Sequence, residues 1–95
     1  MKNLKTSRHE IKYVPLNDSV PVFSTYDLGC SAALLSSGFE LLSVNKTNPY
    51  KSLFVFRQED DVEETVEQYF ADRLEVKARR YFGNLKALKN AIYSE

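Results

Sequence analysis

The alternation of apolar and polar positions predicts a β-hairpin near the middle of the chain. Residues 39–44 and 52–56 are rich in the β-branched and aromatic side chains that favour strands. The segment between them contains two asparagines and a proline, residue types that favour a turn. We therefore expect two antiparallel strands joined by this turn.

Two earlier segments are also β-prone, but turn-forming residues interrupt them. Residues 11–14 are followed by Pro15, and residues 20–23 contain Pro21. Because proline lacks the backbone N–H that an inner strand donates, both segments are expected to be edge strands or extended connectors.

Apolar residues that recur about every 3.6 positions predict helices before and after the hairpin. The first helix begins with a capping box formed by Ser24 and Asp27, and it ends at Gly38, which supplies a left-handed stop. The second follows the hairpin, and its acidic start suits the positive end of a helix dipole. One face of the second helix carries apolar residues at helical spacing: Val62, Val66, Tyr69 and Phe70.

The clearest helical pattern covers residues 78–93. Its apolar stripe consists of Ala78, Tyr81, Phe82, Leu85, Leu88 and Ile92. The opposite side carries Arg79, Lys86 and Asn90. In residues 73–77, just before this helix, apolar and charged side chains alternate. This pattern predicts either a short strand or a connector. The pattern predicts an α+β fold, with a small antiparallel sheet of three to four strands, helices packed on one face and the order β-α-β-β-α-(β)-α.

Length and composition favour one compact domain. We expect residues 11–95 to form it, preceded by a flexible N-terminal arm over residues 1–10, which are basic and lack apolar periodicity. The single cysteine, Cys30, cannot form an internal disulfide, so we expect a reducing, cytoplasmic setting. No apolar stretch approaches the roughly 18 to 20 residues that span a bilayer, so neither membrane insertion nor export is expected.

Charge is strongly separated along the sequence although the formal net charge is zero. Residues 58–72 contain seven acidic and no basic side chains, whereas residues 73–93 contain six basic side chains and one acidic. The molecule is therefore expected to carry an acidic and a basic surface. Such surfaces indicate where charged partners would bind. The same asymmetry also arises when charged side chains near the ends of a helix complement its dipole.

The predicted second hairpin strand carries two phenylalanines on one face, Phe54 and Phe56, because successive side chains alternate. These rings belong to the core, to a homodimer interface between sheets, or to an exposed platform that stacks on unpaired bases. In the third case Tyr50 also stacks, and the protein is a non-enzymatic binder of single-stranded DNA or RNA. The cations that would neutralise phosphates lie near the strand ends and on the last helix: Lys46, Lys51, Arg57, Arg79 and Lys86.

The acidic segment supports a competing hypothesis, in which Asp60, Glu63 and Glu67 bind a basic site on another protein. In that case the chain is a protein-interaction module of a phage or mobile element, which inhibits a host factor or a defence system. Helix capping also accounts for these acids. A metal site is not expected, because the carboxylates lack the ligand spacing and glycine of a calcium loop.

No residue pattern predicts catalysis or a cofactor. His9 is the only histidine and has no ligand-forming neighbour at metal-site spacing. Cys30 lies among small apolar residues, where a thiol is ordinary core. The three glycines are far apart and form no phosphate-binding loop.

Three blocks of this chain are similar to a family of short uncharacterised α+β domains from bacteria, archaea and their viruses. The blocks are residues 23–41, which include Ser24-Thr25-Tyr26-Asp27-Leu28, then 54–56 and 80–89. The similarity extends over about residues 22–93. The resemblance implies the order strand, helix, hairpin, helix, helix and an origin in a microbe or mobile element. It carries over no catalytic residue.

Overall fold

The computed structural model of the protein describes residues 20–94. The expected arm over residues 1–10 and the β-prone segment 11–14 lie outside the described residues. The described part contains one three-stranded sheet and three helices in the order β-α-β-β-α-α. The predicted α+β class is therefore confirmed.

The sheet is antiparallel throughout. Its strands are β1 (Val22–Thr25), β2 (Leu41–Asn45) and β3 (Leu53–Arg57), arranged in the order β1-β3-β2. The hairpin prediction is confirmed as β2 and β3. Pro21 immediately precedes β1, which lies at the edge of the sheet, where a missing N–H costs no ladder hydrogen bond.

A β-bulge in β2 decides which of its side chains contact the core. Leu41 pairs with Phe56 and Ser43 pairs with Val55, so Leu42 is the extra residue. A bulge resets the alternation of the strand. As a result Leu41 and Val44, three positions apart, both pack on the face that the helices cover.

The first helix, α1 (Leu28–Ser36), begins one turn later than a capping box with Ser24 would require. Asp27 is the N-cap, and its carboxylate accepts a hydrogen bond of 2.7 Å from the backbone N–H of Cys30. Ser24 instead lies within β1. The capping-box prediction was therefore wrong in register, because the strand extends further than its sequence pattern indicated.

The end of α1 forms a Schellman motif, as the position of Gly38 suggests. Gly38 has a φ of 99°, a conformation that glycine adopts without strain. Its N–H donates to the carbonyl of Leu35, and the N–H of Phe39 donates to that of Leu34. The predicted stop is confirmed, and it turns the chain into β2.

The other two helices are α2 (Val62–Phe70) and α3 (Ala78–Tyr93), and α3 has the predicted bounds. Two rings that were assigned to buried faces are exposed, since Phe70 is 61% and Phe82 is 59% accessible. Each lies at the margin of its apolar stripe rather than at its centre. Residues 73–77 form a connector and not a strand.

The core fills the space between the helices and one face of the sheet. Helix α1 packs against both α2 and α3. The cluster of buried hydrophobic side chains consists of Cys30, Ala32, Leu34, Phe39, Val44, Phe54, Phe56, Val62 and Leu88.

Two tyrosines from different helices meet over Gly29 in α1. The Tyr81 hydroxyl donates a 3.3 Å hydrogen bond to the carbonyl of Gly29. The interaction of the Tyr69 side chain with that of Tyr81, followed by partial burial, raises the pKa of Tyr69 well above its usual range. A Cβ on Gly29 would overlap the Tyr69 hydroxyl and lie 3.2 Å from that of Tyr81. Gly29 thus permits α1, α2 and α3 to approach one another.

We expect Gly29→Ala to lower the free energy of unfolding by about 1 kcal/mol, because displacing the Tyr69 hydroxyl outweighs alanine's better helix propensity. The cost should shrink or change sign in a Tyr69→Phe background, where the overlapping hydroxyl is gone and only the contact with the Tyr81 hydroxyl at 3.2 Å remains. Urea denaturation of both single variants and the double variant measures this coupling. An equal cost in both backgrounds would show that the hydroxyl is not the obstacle.

Candidate nucleic-acid interface

The phenylalanines of β3 do not form an exposed platform. Phe54 is 1% and Phe56 is 0% accessible, and both belong to the core cluster. Alternation places the two rings on one sheet face, and that face is the one the helices cover. The stacking role for these two residues was therefore wrong, and of the three alternatives the core assignment is confirmed.

Two of the predicted cations are engaged inside the protein. The Lys46 ammonium donates to the carbonyl oxygens of Ala91 at 3.1 Å and Ser94 at 2.9 Å. It thereby satisfies carbonyls at the C-terminal end of α3, where a cation also complements the helix dipole. The Arg57 guanidinium pairs with Glu40 through an Nε to Oε1 contact of 2.9 Å. Contacts within the protein therefore explain both cations without a phosphate ligand.

The hairpin turn nevertheless presents an aromatic ring and a cation to solvent. Tyr50 is 93% accessible. The Lys51 ammonium lies 4.2 Å from the centroid of the Tyr26 ring, which is 51% accessible. This cation–π contact fixes the lysine beside a second exposed ring.

A mixed surface runs along α3, and we call it the basic-aromatic stripe. Its members follow the spacing three, four, three, four and are all exposed: Arg79, Phe82, Lys86, Lys89 and Tyr93. At about 100° per residue they fall within an arc of roughly 80°, and they extend over roughly 21 Å. The Lys86 ammonium lies 5.5 Å from the centroid of the Phe82 ring. Helix α3 contains no acidic residue to offset its charge.

The turn and the stripe are adjacent. Lys46 precedes the exposed part of the turn, and its two carbonyl partners flank Tyr93 in the sequence. The C-terminal end of the stripe therefore lies beside the hairpin turn. The Lys46 hydrogen bonds thus bring the beginning of the hairpin turn to the end of α3 that carries Tyr93.

The sequence assigned Arg79 and Lys86 to this surface but missed Phe82 and Tyr93 as exposed rings. A helical residue beside an apolar stripe is buried or exposed according to how the helix is rotated on its neighbours, and sequence periodicity gives this rotation only to within about one residue. The signal available was the spacing itself. Phe82 and Tyr93 share the three-four register of the basic residues and not that of Tyr81, Leu85, Leu88 and Ile92.

The acidic residues proposed for protein interaction are exposed at the start of α2 and along it. We call Asp60, Glu63 and Glu67 the acidic surface. Both carboxylate oxygens of Glu63 accept from the Gln58 side-chain amide, at 3.2 and 3.1 Å. The N-cap, Asp61, makes no side-chain capping hydrogen bond. Side-chain capping therefore does not account for the cluster, and the helix dipole remains as its local cause.

Metal ligands and the cysteine thiol are two groups of chemical interest in the described part of the chain. Within residues 20–94, no group of three or more His, Cys, Asp or Glu side chains is arranged to hold a metal ion. Burial, followed by the nearby charge of Asp27, raises the pKa of Cys30 to about 11, so its thiol is neutral at physiological pH. No helix in the described range is long and apolar enough to cross a membrane.

Comparison with known proteins returns one family. Residues 21–94 match the family described as Domain of unknown function (DUF5659). Neither the curated proteins nor the solved structures contain a match. The matched residues include all six elements of the fold and both exposed surfaces.

Proposed function

The chain belongs to the DUF5659 family, and from the surfaces of this fold we propose that the protein is a non-enzymatic binding module for single-stranded nucleic acid. The interface is the basic-aromatic stripe of α3, extended by Tyr50 and Lys51 in the adjacent hairpin turn. This proposal keeps the ligand that the sequence favoured and moves the aromatic contribution from the sheet to the helix.

The observation that carries the proposal is the interleaving of rings and cations on one exposed helix face. Phe82 and Tyr93 are 59% and 78% accessible, although large apolar rings are usually buried. Arg79, Lys86 and Lys89 lie between and beside them without an acidic residue in the same helix. Cations attract a phosphate backbone, and rings stack on bases.

The rings favour single strands over duplexes. In a duplex the faces of the bases are stacked on one another, so an exposed Phe or Tyr finds no base to contact. In a single strand each accessible base offers a stacking surface, worth roughly 1–3 kcal/mol. The stripe covers roughly 21 Å of helix, which is long enough to hold several nucleotides.

The proposal is tested by fluorescence anisotropy of labelled single-stranded and duplex DNA and RNA at two salt concentrations. We expect tighter binding to the single strands, weakened by salt. Phe82→Ala should reduce this binding about tenfold, because it removes one stacked ring. Phe70→Ala is a matched control, since Phe70 is 61% accessible and lies on the acidic helix. Unaltered binding in Phe82→Ala, or an equal loss in both variants, would contradict the stripe as the interface.

The acidic surface supports a second candidate function, an interaction module for a basic protein. Asp60, Glu63 and Glu67 are exposed, and none of them forms an ion pair with a base in residues 20–94. This candidate predicts a stoichiometric protein complex that is lost on Glu63→Lys or Glu67→Lys and indifferent to Phe82→Ala. Absence of nucleic-acid binding even at low salt would favour it over the stripe.

A further inference from the structure

An open pocket of about 260 Å³ lies at the hairpin end of the sheet. It is lined by Tyr26, Asn45, Thr47, Asn48, Lys51 and Leu53. Leu53 precedes the core residue Phe54 and therefore points to the sheet face away from the helices. The pocket is thus separate from the core, although it shares Lys51 with the hairpin surface described above.

Each of the two asparagines that line the pocket keeps a hydrogen-bond donor that no group in residues 20–94 occupies. The Asn45 Oδ1 atom accepts from the backbone N–H of Thr47, and the Asn48 Oδ1 atom accepts from that of Tyr50, both at 2.8 Å. A backbone N–H can only donate, so the atom facing it must be the carbonyl oxygen of each side chain. Each amide Nδ2 group is therefore left as a donor, and neither has an acceptor among residues 20–94.

The charge of the pocket favours an anion. Among residues 20–94, Lys51 is the one cationic residue that lines the pocket, and no carboxylate lines it. The ammonium is held 4.2 Å from the centroid of the ring of Tyr26, a second residue that lines the pocket. Three donor groups, two neutral and one charged, can therefore surround the oxygens of one anionic group.

The rest of the lining favours a flat, apolar group next to that anion. The Tyr26 ring is 51% accessible and Leu53 is half-buried. Aromatic rings stack on nucleobases regardless of base identity. The volume lies just below the 300–1,000 Å³ that is typical of small-molecule sites, which suits one nucleotide.

We propose that this pocket binds the phosphate monoester of a single nucleotide, with the phosphate at Lys51 and the two asparagine amides and the base against Tyr26. The inference deepens the proposed function, on which it rests for the source of that nucleotide: the phosphorylated end of a strand that lies along α3. A free nucleotide has the same chemistry, and the experiment separates the two sources.

The first measurement is an NMR titration of the ¹⁵N-labelled full chain with a nucleoside 5′-monophosphate, the matching nucleoside and inorganic phosphate. We expect the monophosphate to shift the backbone amides of residues 45–53 and the side-chain amides of both asparagines. Lys51→Gln should abolish these shifts while leaving the remaining spectrum that of the folded protein, because Lys51 is exposed. Absence of shifts with the monophosphate would overturn the proposal.

The second measurement compares anisotropy of one labelled oligonucleotide with a 5′-phosphate, a 3′-phosphate or hydroxyls at both ends. If a strand end is the source, one phosphorylated form binds about tenfold tighter than the hydroxyl form, the worth of a charged hydrogen-bonding contact. Lys51→Gln should remove this difference, so that the phosphorylated and hydroxyl forms bind the variant with equal affinity. Equal binding of all three forms, together with monophosphate shifts, would identify free nucleotide as the ligand and support the pocket.

Lys86→Gln separates failure of the pocket from failure of the stripe. If the stripe binds the strand, this variant weakens every oligonucleotide by the same factor and leaves the monophosphate shifts unchanged. If Lys86→Gln does not change the affinity for oligonucleotides but the monophosphate still shifts the pocket amides, the proposed function of α3 is wrong and the pocket proposal is supported. If oligonucleotide binding depends on Lys86 and the monophosphate produces no shifts, the pocket fails and the stripe stands.

Discussion

Replacing Phe56 with alanine is expected to lower the free energy of unfolding by about 3–5 kcal/mol. Phe56 is 0% accessible and lies in the central strand, between Phe23 of β1 and Leu41 of β2. The substitution removes apolar burial and leaves a cavity that neighbouring strands cannot fill. Because domains are stable by only roughly 5–15 kcal/mol, most of the stability is at risk. Urea denaturation followed by circular dichroism measures the loss.

The matched control for this substitution is Tyr50→Ala in the same hairpin. Tyr50 is 93% accessible, so its removal should change stability by no more than about 0.5 kcal/mol. Phe56→Leu provides the functional comparison, because it keeps an apolar side chain in the core without an aromatic ring. We expect it to fold and to bind nucleic acid like the wild type. A folded Phe56→Leu protein that has lost binding would restore the stacking role that burial argues against.

Replacing Lys86 and Lys89 together with glutamine should change the salt dependence of nucleic-acid binding. Each lysine that neutralises a phosphate releases counterions, which contributes about −0.7 to the slope of log K against log salt for a single strand. The double variant should therefore lose about 1.4 from the magnitude of the slope. Because counterion release vanishes near 1 M salt, the same change of slope makes binding about 65-fold weaker at 0.05 M salt. Anisotropy titrations at four salt concentrations measure both quantities.

A double substitution on the other charged helix, Glu63→Gln with Glu67→Gln, controls for net charge. It should leave the slope unchanged, because neither side chain contacts phosphate in the proposed complex. A slope that changes with both pairs of substitutions would indicate general electrostatic attraction, and a slope that changes with neither would show that Lys86 and Lys89 do not contact phosphate. The result therefore separates a localised interface from a diffuse effect of charge.

The elements of this fold are readable from sequence where their signals are local. Helix α3 has the predicted bounds, because a long run of residues repeats one period. The turn at Gly38 is equally local, since a positive φ at that position strongly favours glycine. The hairpin follows from two β-prone runs separated by turn formers. In each case the deciding interactions lie within a few residues of one another.

The candidate site was harder to predict, because its residues are defined by contacts between distant parts of the chain. Alternation placed Phe54 and Phe56 on one face but could not say which face the helices cover. The partners of Lys46 lie 45 and 48 residues away, so its role at the end of α3 has no local signal. Exposure of Phe82 depends on the rotation of α3 against α1. The sequence predicted that aromatic rings and cations form the proposed interface. Tertiary packing determines which of these side chains are exposed.

Helix α1 contains no charged side chain, and the two helices packed against it have opposite charge. Helix α2 carries three acidic and no basic residues, and α3 carries four basic and no acidic residues. The protein therefore has a permanent electric dipole despite its zero formal charge. A polyanion approaching from solution is repelled by one side and attracted by the other, so it is oriented before contact. Such steering raises the association rate constant. The charges therefore set the association rate constant independently of the dissociation rate constant.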